Sequence, residues 1–332
     1  MKKKYILLLL LPFLILLLIF YSLILPPSPY PLRKVEIYIP HGYSSSEIAL
    51  LLKKKNLIKS PPLFKLIARI TGLHNKLKSG YYLIKSNETA IEILKKIASG
   101  EFYTIKVTIP EGFSIPLIAE RLVQKGLIKN KKEFYNGIKK LNIKKRFSFI
   151  PVNNPEGFLY PDTYYFVKGT PVSNIIIKMI TEFSNKVLKR FKTQIANSRF
   201  SLYEIITLAS LIEKETGVDA ERPVIAQVFI KRLKKGYKLF CDPTVAYAVG
   251  KYHGERLTYR DLKFDSPYNT YLYKGLPPTP ICNPGIKSIE AVLIPAKTDY
   301  LYFVSKNDGT HKFSRTLKEH NLAVEKYQKR KK

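Results

Sequence analysis

The clearest pattern of apolar and polar positions lies in residues 201–217, where it predicts one long and largely buried helix. Ser201 and Glu204 have the S-x-x-E spacing of a capping box, which defines the start. Gly217 can take the left-handed conformation that ends a helix. At about 100° per residue, one broad face is apolar and comprises Leu202, Ile205, Ile206, Leu208, Ala209, Leu211 and Ile212. The opposite face is polar, with Thr207, Ser210 and Lys214.

Two glutamates near the end of this helix are candidates for chemistry. Glu213 and Glu215 lie about 200° apart by the same geometry, on opposite borders of the apolar face. A carboxylate at an apolar border loses hydration, so its pKa rises toward the value that a general acid needs. The alternative is that both glutamates form salt bridges at the helix edge, because structural ion pairs also perturb carboxylates.

A repeat at an offset of 70 relates residues 39–64 to residues 109–134 without a gap. Each copy has the pattern of a strand, a turn at a glycine, an amphipathic helix, a short Leu-Ile run and a second helix. Strands are expected over residues 34–39, 79–84 and 104–109, and a helix is expected over residues 89–98. The repeat is either a duplicated scaffold without chemistry, or a carbohydrate-binding module followed by the beginning of a catalytic domain.

The second half of the chain is rich in short motifs. Residues 155–166 combine aromatic side chains, turn residues and acids, and they are expected to form a loop that leads into a strand. Such a mixture suits sugar rings, although core packing is the commoner use of aromatic residues. Further elements are expected as helices over 173–190, 221–235 and 288–293, a short helix after Cys241 and a strand over 300–304. The Pro-rich residues 275–285 cannot form regular structure, and they fit the rim of a cleft.

The N-terminus has the pattern of a membrane anchor. Residues 1–4 carry three lysines and are expected in the cytoplasm. Residues 5–25 are uncharged and long enough, as a helix, to cross a hydrocarbon core of about 30 Å. No small-residue cleavage site follows, so a single uncleaved transmembrane helix is predicted. Residues 26–31 are a Pro-rich spacer, and the rest of the chain is expected outside the cytoplasmic membrane.

The composition and the absence of several motifs exclude some classes of function. A net charge of +32 indicates an anionic partner or a compositional drift toward lysine, and the predicted topology argues against nucleic acid. Anionic lipid and anionic wall polymers remain as candidate partners. The histidines and the two cysteines lack metal-site spacing, and no phosphate-binding loop, dinucleotide fingerprint or G-x-S-x-G elbow is present. No metal or cofactor is therefore expected, and the carboxylates, amides and aromatics suit sugar-bond cleavage.

A series of short motifs, in this order along the chain, resembles the MltG/YceG-like endolytic murein transglycosylases. The motifs are A-S-L-I-E-K-E-T at 209–216, D-P-T-V at 242–245, Y-N-T-Y at 268–271, G-L-P-P at 275–278, N-P-G at 283–285 and P-A-K at 295–297. Residues 156–163 and 300–304 fit as well. The resemblance covers essentially the whole chain, and the combination of motifs is far more specific than any one of them.

The resemblance implies an α+β fold, with a LysM-like αβ module at residues 32–105 and a mixed α/β catalytic domain at residues 106–332. It implies an enzyme at the cytoplasmic membrane that acts on nascent peptidoglycan and terminates strand elongation. The bond cleaved would be the β-1,4 bond between N-acetylmuramic acid and N-acetylglucosamine, leaving 1,6-anhydro ends. Peptidoglycan strands are the expected partner, and peptidoglycan synthases are candidate partners.

The family's catalytic glutamate falls on Glu215. Glu213 is then expected to be a structural or polarising partner that borders the substrate. Asp242, Thr244 and Asn269 are candidate contacts to sugar hydroxyl and N-acetyl groups.

Cys241 stands where Ser, Thr or Ala is expected before Asp-Pro-Thr, a departure that we expect not to touch the chemistry. A Cys241–Cys282 disulfide is a hypothesis. Two other functions stay open: an inactive glycan-binding scaffold, and a hydrolase that pairs Glu215 with Glu156 or Asp162.

Overall fold

The computed structural model describes residues 12, 14, 17–27 and 30–328. Its contacts divide the chain into two compact units. The first contains the described residues up to Ile105 together with Val167–Gly169, and the second contains Lys106–Phe166 and the residues from Thr170 onward. Each unit has its own elements, and the candidate site lies in the second.

The first unit is built on a two-stranded antiparallel sheet. Its elements are β1 (Lys34–Ile39), α1 (Ser45–Lys54), α2 (Pro61–Ile70), β2 (Gly80–Lys85) and α3 (Ala90–Ser99). Ile37 of β1 lies opposite Tyr82 of β2, and both are buried against the helices. The alternate positions, Tyr38 and Tyr81, stack their rings 4.6 Å apart on the other face of the sheet. The strand predicted over 34–39 is confirmed, and those predicted over 79–84 and 104–109 are confirmed within one residue at each end.

The other elements are mostly helical. They are β3 (Thr104–Thr108), α4 (Ile115–Gln124), α5 (Lys131–Lys140), α6 (Ile143–Arg146), β4 (Thr163–Val167), α7 (Val172–Phe183), α8 (Lys192–Ala196), α9 (Leu202–Glu215), α10 (Arg222–Lys234), α11 (Asp242–Ala248), α12 (Tyr259–Leu262), α13 (Ile286–Leu293), β5 (Tyr302–Ser305), β6 (His311–Ser314) and α14 (Leu317–Tyr327). Strand β3 pairs with β4, and β5 pairs antiparallel with β6. The helix predicted over 173–190 instead ends at Phe183, where a π-helical turn follows.

Helix α9 is the buried centre of the second unit. Its predicted capping box is present, because the Ser201 hydroxyl accepts from the N–H of Glu204 and the Glu204 carboxylate accepts from the N–H of Ser201. Helices α10, α11 and α13 pack around it. The predicted polar face is therefore wrong at Thr207 and Ser210, which are both buried. Their hydroxyls donate to carbonyl oxygens one turn back in the same helix, so burial leaves neither group unpaired.

The predicted end of this helix is also corrected. Gly217 does not take the left-handed conformation. The helix stops because Thr216 is extended, with φ −142° and ψ 140°. The Thr216 hydroxyl accepts from the N–H of Val218 and donates to Glu221, which holds the chain in this turn.

The predicted N-terminal transmembrane helix is corrected too. Across the described ranges, the structure has no helix that is both long and apolar enough to cross a membrane. The prediction covered residues 5–25, and residues 5–11, 13, 15 and 16 lie outside the described part of the chain.

Candidate active site

Glu215 is the last residue of α9, and it is half-buried. The pKa of Glu215 is raised to about 7, mainly by burial and also by the negative charge of Asp242, although two groups act against that rise. The thiol of Cys241 donates a hydrogen bond to the carboxylate, and the guanidinium of Arg232 attracts it. The result is a carboxyl group that is close to half protonated at neutral pH, as a general acid requires.

The neighbours of Glu215 are fixed by a compact hydrogen-bond network at the start of α11. The Cys241 N–H donates to the Thr270 hydroxyl at 3.0 Å, and the Thr244 hydroxyl donates to the Cys241 carbonyl at 2.7 Å. The two threonine hydroxyls lie 3.0 Å apart. Thr244 is fully buried, so the geometry gives it a structural role, and substrate contact stays a prediction. Asp242 is exposed and accepts a hydrogen bond from the hydroxyl of Tyr271.

Glu213 points to the other side of α9. Its Oε2 accepts from Arg222 Nη1 at 3.2 Å, from the Ser288 hydroxyl at 2.7 Å and from the Gly285 N–H at 3.0 Å. The side chains of Glu213 and Arg222 are each only 7% exposed. Glu213 therefore joins α9 to α10 and α13 as a buried ion pair. The alternative that the two glutamates form salt bridges is therefore correct for Glu213. Glu215 has a different environment.

Asn269 is also part of the scaffold. Its side-chain amide donates to the carbonyls of Leu262 and Phe264 at 3.0 and 2.9 Å, and its side-chain oxygen accepts from the N–H of Tyr271 at 3.0 Å. The residue is fully buried. These bonds hold the loop that carries Thr270 and Tyr271, so Asn269 acts on the site through its neighbours.

Glu156, considered above as a second carboxylate, is buried in the interior. It is 0% exposed, and its oxygens accept from the Ile115 N–H, the Tyr247 hydroxyl and the Asn283 amide at 3.0–3.1 Å. Burial raises the pKa of Glu156 to about 8. A carboxyl group enclosed by these donors cannot flank a sugar ring. Asp162, the other candidate for a second carboxylate, accepts a hydrogen bond from the N–H of Thr163 at the start of β4.

A cavity of about 490 Å³ opens beside Glu215. Its walls include Lys214, next to Glu215 in the chain, and Asp242, whose charge acts on Glu215; Glu215 itself is not among the lining residues. Aromatic and charged side chains form much of the wall, namely Tyr247, Tyr252, Lys251, Arg256 and Glu255. A second cavity of about 480 Å³ shares Gly112, Leu117, Lys214, Tyr252 and Gly254 with the first. The two adjoining cavities form one groove along this shared wall.

Sequence reasoning missed two residues of this site, Cys241 and Lys214, and its hypothetical disulfide is wrong. Cys241 contacts Glu215, so its departure from the family pattern changes the surroundings of that carboxyl group. Lys214 was assigned only to a polar helix face, although it lies between the two glutamates. The hypothetical disulfide is not formed: both cysteines are free and buried, and the thiol of Cys282 donates to the Ser210 carbonyl at 3.3 Å.

The groove and the neighbouring carboxyl group of Glu215, whose pKa is near neutrality, define a general acid–base site that suits a hydroxyl-rich substrate. The chain belongs to the YceG-like family, whose model matches residues 37–326. It is 39% identical over 310 residues to the endolytic murein transglycosylase of Bacillus subtilis, covering 88% of this chain and 84% of that protein.

Two further relatives support the same assignment. An endolytic murein transglycosylase of Streptococcus pneumoniae is 28% identical over 320 residues, which cover 87% of this chain and 58% of the longer relative. A solved structure of a yceG-like protein from Listeria monocytogenes has a TM-score of 0.59 and 35% identity, covering 88% of this chain and 99% of that one.

Proposed function

We propose that this protein is an endolytic murein transglycosylase, which cleaves the β-1,4 bond between N-acetylmuramic acid and N-acetylglucosamine within peptidoglycan strands. The Bacillus subtilis and Streptococcus pneumoniae relatives carry that name. The observation that carries the proposal is the carboxyl group of Glu215, with a pKa of about 7, beside a groove with aromatic and cationic walls.

Glu215 is the only group that the reaction needs to move protons. In its protonated form it gives its proton to the leaving O4 oxygen while the bond from that oxygen to C1 breaks. The C6 hydroxyl of the same muramic acid then attacks C1, and its proton passes to Glu215. One product carries a 1,6-anhydro end and the other a free 4-hydroxyl group. No water is consumed, and Glu215 returns to its protonated form.

The surroundings of Glu215 suit both halves of this cycle. Burial keeps the carboxyl group protonated when substrate arrives. After the proton has been transferred, the Cys241 thiol and the Arg232 guanidinium stabilise the carboxylate. The Arg232 side chain is held for this by hydrogen bonds to the carbonyls of Leu239 and Leu301 at 2.6 and 2.8 Å.

The two alternatives have less support. A hydrolase that flanks the bond with two carboxyl groups would need Glu156 or Asp162 in the groove, and Glu156 is enclosed by protein donors. An inactive glycan-binding scaffold has no need of a carboxyl group that is half protonated at neutral pH. The order strand, two helices, strand in the first unit supports its assignment as a LysM-like glycan-binding module.

We place the catalytic unit on the outer side of the cytoplasmic membrane, because nascent peptidoglycan lies there, with the synthases of those strands as its partners. Protease treatment of intact spheroplasts tests this placement. Degradation of the catalytic unit would support it, and full protection, with digestion only after lysis, would contradict it.

Mass spectrometry of purified strands treated with the full-length protein tests the reaction. Wild type is expected to release internal fragments with 1,6-anhydro ends, and Glu215→Gln is expected to release none. Glu101→Gln, at an exposed glutamate of the first unit, is the matched control and should cleave like wild type. Fragments with reducing ends would indicate a hydrolase, and no cleavage by wild type would favour the scaffold.

A further inference from the structure

Helix α4 has an open N-terminus on the wall of the cavity. Ser114 is its N-cap residue, yet its side chain makes no capping hydrogen bond to the first turn. The side chain is buried, with the residue 3% exposed, and its hydroxyl has no hydrogen-bond partner among the described residues. Ser114 and Leu117, the third residue of the helix, both line the cavity. A buried hydroxyl without a partner is unfavourable, so its presence at a cavity wall indicates a ligand.

The repeat provides an internal comparison. Ser44, the equivalent residue of the first copy, accepts from the N–H of Glu47, and the Glu47 carboxylate accepts from Ser44 in return. That capping box closes the N-terminus of α1. In the second copy Leu117 stands at the position of Glu47, so the acid that would close the helix is missing. One donor of α4, the Ile115 N–H, is bound by the buried carboxyl group of Glu156, and Pro116, the second residue, has no N–H. Among the first three residues of the helix, the N–H of Leu117, which lines the cavity, is therefore the donor left for a ligand.

Two cationic side chains line the same cavity. The stem of Lys214 passes over Gly112, where an added Cβ would lie 3.6 Å from Lys214 Cδ. Lys214 and Arg256 are exposed and line the cavity. A helix N-terminus carries a partial positive charge that favours anions, and these side chains add to it.

The remaining charged groups of the cavity already have partners. Lys251 pairs with Asp261 at 2.5 Å. Asp242 accepts from the Tyr271 hydroxyl, and Glu255 accepts from the N–H of His253 at 2.8 Å. These hydrogen bonds do not remove the negative charges of Asp242 and Glu255. The donors that the cavity offers a ligand are the Ser114 hydroxyl, the Leu117 N–H and the side chains of Lys214 and Arg256.

We propose that the N-terminus of α4, with the Ser114 hydroxyl and the Lys214 ammonium group, is a subsite for a carboxylate of the peptide stem attached to the muramic acid. This inference rests on the proposed function. The sugar hydroxyl and N-acetyl groups of a strand are neutral, and the stems supply its carboxylates. Occupying this subsite places one stem beside Glu215 and selects strands whose stems are intact.

The test compares cleavage by the full-length protein of strands with intact stems and of the same strands stripped by an amidase, which leaves the lactyl carboxylate. For wild type, kcat/KM is expected to be about tenfold higher on intact strands, the scale of a hydrogen bond to a charged group. Ser114→Ala is expected to lose this preference through a higher KM on intact strands, without a lower Tm, because the deleted hydroxyl has no protein partner. Lys214→Gln is expected to reduce the preference similarly.

Ser44→Ala is the matched control, since it removes the equivalent hydroxyl where that hydroxyl closes a helix. It should lower the Tm of the first unit and leave the preference for intact strands unchanged. Equal cleavage of both substrates by wild type would overturn the inference while the proposed function stood. So would an equal loss on both substrates in Ser114→Ala, which would assign the subsite to the glycan or its lactyl group. If wild type cleaved neither substrate, the proposed function would fail and the inference with it.

Discussion

The thiol of Cys241 donates a hydrogen bond to the carboxylate of Glu215, joining the start of α11 to the end of α9. The thiol is fully buried, and burial next to this carboxylate raises its own pKa well above the ordinary value. Cys241 therefore stays protonated and remains a donor at any pH at which Glu215 titrates. A cysteine at this position sets the proton affinity of the carboxyl group that we propose as the acid and base.

This contact predicts how activity depends on pH. Because Glu215 must be protonated to begin the reaction, kcat/KM should fall as the pH rises through about 7. Cys241→Ala removes a donor that lowers the pKa of Glu215, so the fall should move to higher pH. Cys241→Ser offers a stronger donor and should move it to lower pH. The measurement is the pH profile of kcat/KM on purified strands.

Cys282→Ala is the control for this series. Cys282 is equally buried, but its thiol donates to the Ser210 carbonyl rather than to Glu215. The pH profile of kcat/KM for Cys282→Ala should overlay that of wild type. A profile for Cys241→Ala that also overlays wild type would show that the thiol does not set the pKa.

Glu156 predicts a pH dependence of stability. Its pKa in the folded protein is about 8, above the ordinary value of 4.5, so the folded state holds its proton more tightly than the unfolded state. The stability from this group is fully present below about pH 4.5 and is lost as the pH rises through 8. Glu156→Gln cannot ionise and should therefore show a smaller loss of Tm between pH 6 and pH 9 than wild type. Equal losses in both proteins would contradict the prediction.

Glu213→Gln tests the buried ion pair. It leaves Arg222 paired with Asp219, at 3.1 Å, and hydrogen-bonded to Ser288. It should lower the free energy of unfolding by about 3 kcal/mol, as when one partner of a buried pair is removed. Chemical denaturation measures the change. The double variant Glu213→Gln/Arg222→Gln should recover part of it, because no unpaired charge is then buried. A loss in the double variant equal to the sum of the two single losses would mean that the pair contributes nothing.

Gly157 tests the packing of the loop behind α9. It has φ +88°, and an added Cβ would lie 2.6 Å from Pro280 and 2.7 Å from Ile206. Gly157→Ala should therefore lower the free energy of unfolding by at least about 2 kcal/mol, the order of strain at a left-handed residue combined with overpacking. Gly217→Ala is the control: nothing lies within 4 Å of its added Cβ, and its stability should match or slightly exceed that of wild type.

Local signals in the sequence predict much of the secondary structure. The capping box at Ser201 and Glu204, the glycine turns of the repeat and the strand over 34–39 depend on neighbours in the chain, and the structure has them where the sequence indicates. The end of α9 at Thr216 was not predicted, because it depends on a hydroxyl whose partner Glu221 lies in the following turn.

The sequence by itself also determined that Glu213 and Glu215 leave α9 on opposite sides, since helical geometry fixes directions about the helix axis. Only the tertiary structure decided what each meets there. Arg222 of α10 pairs with Glu213, and Ser288 and the Gly285 N–H at the start of α13 donate hydrogen bonds to it. At Glu215 the fold instead brings Cys241 and a cavity. A periodic pattern gives the direction of a side chain, but the group that it contacts is set by packing between elements that are distant in the chain.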